Sequence, residues 1–190
     1  MNNEIIAAVA LGIGLSASAG FRVFIPLLVA SIAARSGILP LNESFAWMGS
    51  WAALICFGTA SVVEILAYYI PFIDNLLDSI TTPLALGAGT LLMTSVLPVD
   101  SDLLKWVTGI IVGGGMATTV QAGSVLTRLA SSKFTAGFGN VALSTAENTA
   151  SAGFSVMSLF VPVIIAVFFL LFVIWIFSKL GKKIFHRSRV

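Results

Sequence analysis

Residues 61–83, SVVEILAYYIPFIDNLLDSITTP, set Glu64, Asp74 and Asp78 inside or beside sequence of hydrocarbon grade. Glu64 follows an apolar run that begins near Trp47, so a helix through it holds an ionisable group well inside a bilayer. A carboxylate at the centre of a spanning helix is disfavoured by roughly 2.5–3.5 kcal/mol on insertion scales, and it therefore faces a partner, a cavity or a transported substrate. Pro71 is expected to end that helix, leaving Asp74 and Asp78 at i, i+4 spacing on one face of a short, solvated amphipathic turn.

The rest of the chain supplies the bilayer context. Hydrophobic residues make up 58% and charged residues 9% of 190, with a mean hydropathy of +1.04, where a soluble domain is about 25% charged. At about 20 apolar residues per crossing, this length predicts one all-α, polytopic membrane bundle of five to six spans with the lipid bilayer as its main partner. Half of the ten basic residues, Lys179, Lys182, Lys183, Arg187 and Arg189, crowd the tail 179–190. Such a cluster just past a span is read as a cytoplasmic anchor in an inner membrane rather than as a nucleic-acid site. The start, MNNEIIAAVALGIGLSASAG, lacks a basic n-region and is read as the first membrane helix. Cys56, within an apolar run, is expected to be a small core residue.

Residues 5–35 are apolar for about 31 positions, about 46 Å if helical, against a hydrocarbon core of about 30 Å. Gly20, Arg22 and Pro26 cluster inside that run, which predicts a break exposing backbone and guanidinium to the protein interior. A second helix is expected over Phe45–Tyr69 with Trp47, Trp51, Tyr68 and Tyr69 as interfacial aromatics. A third is expected to start at Pro83, a fourth to run from Leu103 to Ala130, and the last to cover Val156–Phe177. Whether 136–152 spans or re-enters is left open by its small, polar composition.

The order of long glycine helix, Glu helix and Pro-led helix recurs, with GLSASAGFRVF from 14 opposite GMATTVQAGSV from 115, and SVVE (61–64) opposite STAE (144–147). Three crossings per unit point to an inverted 3+3 repeat, 1–98 and 99–178, of the kind that places transport sites at the repeat interface.

Arg22, Glu64, Glu147 and Asn148 are the candidate substrate or ion pathway, since intramembrane acids mark ion routes and an arginine fork suits carboxylate or phosphate. The plainer readings are that Glu64 and Glu147 are structural ties to Arg22 or to a helix end, and that Arg22 forms a buried ion pair with Glu64. Asp74 and Asp78 are the candidate cytoplasmic mouth, and Gly20, Pro26 and Pro71 the candidate helix breaks. A divalent metal on Asp74 and Asp78 stays open, no cofactor is expected, and homo-oligomerisation stays open. The only histidine, His186, lies in the tail, so no buried Ser/His or Cys/His pair exists. The reading is a transporter of a small ion, metabolite or lipid headgroup. The alternatives are a magnesium-dependent lipid-processing enzyme centred on Asp74 and Asp78, and a scaffold.

GLSASAGFRVFIPLL at 14–28, Glu64 followed by YYIPFIDNLLDSITTP, GGGMATT at 113–119 and TAGFGNVALSTAEN at 135–148 together resemble a bacterial membrane family known only as domain of unknown function, number four-one-two-six. The resemblance implies that Arg22, Glu64, Pro71, Asp74, Asp78 and Glu147 belong to the family's motifs, and it implies no activity. Family members usually carry an acidic and then a basic residue shortly before the proline matching Pro71, and a proline after the asparagine matching Asn140. This chain has Tyr68, Tyr69 and Val141 there.

Overall fold

The computed structural model describes residues 2–70, 73–135 and 138–187, and Pro71 lies outside them. The described residues are all-helical, without a strand: α1 (Asn2–Ala19), α2 (Phe24–Arg35), a 3-10 turn (Glu43–Gly49), α3 (Trp51–Ala67), α4 (Ile73–Val96), α5 (Asp102–Thr108), a π turn (Gly109–Gly114), α6 (Gly115–Thr135), α7 (Gly139–Phe160) and α8 (Pro162–Arg187). Leu76–Val96 and Asp102–Thr135 are each long and apolar enough to cross a membrane, and the pair Glu43–Gly49 and Trp51–Ala67, bent by 62°, makes a third candidate.

The burial pattern is compatible with a membrane protein. On α7 the buried positions are Asn140, Ser144, Glu147, Ser151, Ser155 and Ser158, while Ile55, Val63 and Leu66 of α3 and Leu171 and Ile174 of α8 lie exposed. A water-soluble helix buries its apolar stripe, whereas a lipid-facing one gains nothing by doing so and turns its polar groups inward, where protein can satisfy them. Cys56, expected in the core, is exposed for the same reason: in lipid, apolar character does not separate inside from outside.

The first apolar run breaks between Ala19 and Phe24, and Pro26 falls in the first turn of α2, where its missing N–H is not needed. Gly20 allows the broken segment to lie against α6, since a Cβ there would meet the Ala117 carbonyl and the Val120 side chain. The third helix does not begin at Pro83: α4 runs through that proline, which is exposed. Proline removes a hydrogen bond without ending a membrane helix when the freed carbonyl finds other partners. The last two helices divide at Val161 (φ −133°, ψ 56°), because Pro162 has no N–H to continue α7 and is suited to opening α8. Residues 102–135 form one run of α, π and α turns.

α1 is the hub, packing against α2, α4, α6, α7 and α8. Leu15, Leu27, Met48 and Leu92 centre one apolar cluster between α1, α2, α4 and the 3-10 turn. Ile13, Met116, Val120 and Phe169 centre another between α1, α6 and α8. α4 crosses the π turn at Gly89 and Gly113, where a Cβ on either would strike the other's carbonyl. Such close backbone approach is the usual device for association in lipid, where packing substitutes for the hydrophobic effect.

Candidate functional site

The break between α1 and α2 creates a helix N-terminus inside the bundle, with backbone N–H groups that no turn of helix can satisfy. Glu64 of α3 satisfies two of them: its carboxylate accepts from Val23 N–H at 2.8 Å and Phe24 N–H at 3.0 Å. The carboxylate thus caps α2 and sits where the helix dipole favours negative charge. It is not the salt-bridge partner of Arg22.

That partner is Glu147 of α7. Arg22, 1% exposed, bonds Glu147 Oε2 at 2.9 Å, Asn148 Oδ1 at 2.6 Å and the Ser144 carbonyl at 3.4 Å. Glu147 Oε2 also pairs with Arg128 of α6, and Oε1 accepts the Ser124 hydroxyl. One carboxylate therefore joins two guanidiniums. Arg128, 0% exposed, stands 3.9 Å from Asp78 through Nε, and its Nε and Nη1 have no hydrogen-bond partner among the described residues.

Tyr68 organises the middle. The guanidinium carbons of Arg22 and Arg128 lie 3.8 Å and 4.2 Å from its ring centroid. Its hydroxyl donates to Asp78 Oδ1 at 3.0 Å, and it lies 3.0 Å from Thr81 Oγ1, which accepts from Gln121. Tyr68, expected at the membrane interface, is instead buried as a stacking platform for both cations. Asp74 and Asp78 are also buried rather than solvated. Because α4 continues through Pro83, they lie on the inward face of a long helix, where Asp74 accepts from Asn140 Nδ2 at 2.7 Å.

The geometry brings together Arg22, Glu147 and Asn148, places Glu64 beside them on the backbone of the break, and adds Asp74 and Asp78 to the same buried layer. Sequence reasoning passed over Arg128, Tyr68, Gln121, Ser124 and Asn140. A signal for three of them was present in the polar stripe Gln121, Ser124, Arg128, at i, i+3, i+7 on α6, which faces the stripe of α7.

The layer holds the guanidiniums of Arg22 and Arg128 against the carboxylates of Glu64, Asp74, Asp78 and Glu147. With every group ionised it carries two more negative than positive charges. Like charges in a medium of low dielectric repel strongly, and protons or a bound cation can offset the excess. Among the described residues, three cavities reach the layer. One of about 410 Å³ between α6, α7 and α8 has Ser124 and Glu147 in its lining, one of about 530 Å³ between α3 and α4 has Glu64 and Thr81, and one of about 500 Å³ between α4 and α6 has Asp78.

The profile of the family described as "Domain of unknown function (DUF4126)" matches residues 9–182. The chain belongs to that family. No curated protein matches it, and no solved structure does. Membership in DUF4126 assigns no chemistry, so any function rests on the buried layer itself.

Proposed function

We propose that this member of DUF4126 is a small multi-pass transporter of a bacterial inner membrane, with its C-terminal tail cytoplasmic and the charged layer as its coupling centre. Five to six crossings arranged as an inverted 3+3 repeat, with Glu64 on one unit and Glu147 on the other, fit the shared order of helices. The observation that carries the reading is the surplus of buried carboxylates around two arginines. Charge kept at such cost inside an apolar bundle marks ion pathways and substrate sites.

The roles divide. Glu64 holds the break in shape. Glu147, bonded to both arginines and lining a cavity, is the exchange position: taking up a proton there releases Arg22 and Arg128 for another acceptor. Arg128, shared between Glu147 and Asp78, is the element that can change partners. The cargo is a small ion, metabolite or lipid headgroup that replaces a partner of one of these charges. The lipid-enzyme alternative gains no support from the geometry: Asp100 and Asp102 lie exposed beyond the far end of α4, about 27 Å of helix from Asp78.

The test is uptake into proteoliposomes under an imposed pH gradient, with labelled inorganic phosphate, ethanolamine and acetate as probes. Gradient-dependent uptake of one of them, lost in folded Glu147→Gln, supports the carrier. Equal uptake of all three by protein-free and protein-containing vesicles contradicts it for these cargo classes.

A further inference from the structure

Asp74 and Asp78 alone would be only a pair of acids. Asn140 changes their meaning. It is 3% exposed, its Nδ2 donates to Asp74 Oδ2 at 2.7 Å and to Ser132 Oγ at 3.0 Å, and its Oδ1 has no partner among the described residues. The amide's orientation is fixed by Asp74, since the reverse would set oxygen against a carboxylate. A buried, partnerless oxygen of this kind demands a donor or a cation.

The surroundings supply more oxygen. Ser79, Thr82 and Ser132 line the cavity between α4 and α6 together with Asp78. Pro83 has no N–H to give the Ser79 carbonyl, which is left without its helical donor. Carboxylate, amide, hydroxyl and freed carbonyl oxygens are ligands for a hard cation. At about 500 Å³ the cavity also has room for on the order of ten waters.

We propose that Asp74, Asp78, Asn140 and Ser132 form a binding site for a partly hydrated divalent cation of the magnesium class, entered through the α4–α6 cavity. The charge favours a divalent ion, because one such cation matches the two-charge excess of the six described charged side chains of the layer while a monovalent one leaves them negative. The ligand set selects the hydration: no group of three or more His, Cys, Asp or Glu among the described residues is placed to hold a metal. Magnesium commonly keeps several waters and takes only one or two carboxylates. An anion on the partnerless Nη1 of Arg128 is the competing occupant, and it would add to a layer already in carboxylate excess. Arg128 has its Nη2 on Glu147 and stands 3.9 Å from Asp78, and Lys133 lies exposed at the cavity wall. The site's existence rests on this geometry, and its role in coupling rests on the carrier reading.

The experiment is titration of the purified, metal-free full chain with Mn²⁺, following the loss of the free-ion EPR signal, then competition with Mg²⁺. The expected result is saturable binding of one Mn²⁺ per chain, displaced by Mg²⁺ and weakened at least tenfold in Asp78→Asn. Asn140→Asp replaces the orphan oxygen with a charged one and should tighten binding severalfold. It decides the matter if Asp78→Asn does not fold, with unchanged or weaker binding counting against the site. Neutralising the exposed pair, Asp100→Asn with Asp102→Asn, should leave the titration unaltered. Absence of saturable binding, or binding lost with the exposed pair and kept in folded Asp78→Asn, overturns the proposal. Mn²⁺ binding without gradient-driven uptake would remove the carrier for the cargo classes probed and keep the metal site, and uptake without Mn²⁺ binding would do the reverse.

Discussion

Replacing Glu64 with Gln separates a cap from a proton carrier. The two carboxylate oxygens accept Val23 N–H and Phe24 N–H at 2.8 and 3.0 Å. An amide offers one acceptor and turns its NH₂ toward the other N–H. The variant therefore gives up one charge-assisted hydrogen bond, about 1.5–3 kcal/mol, and buries one N–H without a partner, about 1–3 kcal/mol. Against this stands the relief of placing a neutral group where a carboxylate was. The net loss is about 2 kcal/mol, which at this chain length corresponds to a fall of about 4–8 °C in apparent Tm. Thermal unfolding in detergent reads the global effect. Hydrogen exchange reads the local one, as faster exchange of the Val23 and Phe24 amides. A Glu64→Gln protein as stable as the wild type, with both amides still protected, would refute the capping account and return Glu64 to the list of tolerated buried charges.

Other outcomes follow from the same contacts. Tyr68→Phe removes the hydroxyl bonded to Asp78 and Thr81 while keeping a ring for the two arginines, and should cost about 1–2 kcal/mol in chemical denaturation. Gly113→Ala drives a methyl into the Gly89 carbonyl and should lower stability by about 1–3 kcal/mol, whereas Gly115→Ala, with open space around it, should be neutral by the same assay. A cysteine at Ser188, in a Cys56→Ser background, should resist an impermeant maleimide in intact spheroplasts and react in inverted vesicles.

The all-helical class, with helices apolar enough to be candidate spans, and the first break were legible because they depend on quantities a sequence carries directly: the length of apolar runs, and Gly20, Arg22 and Pro26 in one short interval. The run through Pro83 was not legible, because the cost of a proline depends on whether a freed carbonyl finds a partner. Tyr68 was misplaced at the interface since a tyrosine near a helix end looks the same whether its ring meets headgroups or two buried guanidiniums. Arg128 was passed over because the polar stripe it completes has meaning only opposite Glu147 on another helix. Glu64, Arg22 and Glu147 were within reach as candidates, and a tie of Glu64 to a helix end was among the readings, but the choice of Glu147 over Glu64 as the ion-pair partner of Arg22 was not legible. Which carboxylate meets which cation is decided by the fold around the break.

The central claim is that the buried layer exchanges charge instead of serving only as a fixed clasp. A pH jump applied to proteoliposomes on a solid-supported membrane measures this without knowledge of the cargo, as a transient current from protons entering the layer. The account predicts a transient in the wild type that is lost in folded Glu147→Gln and retained in folded Glu64→Gln. A wild-type trace indistinguishable from that of protein-free liposomes, or an undiminished transient in Glu147→Gln, would contradict it.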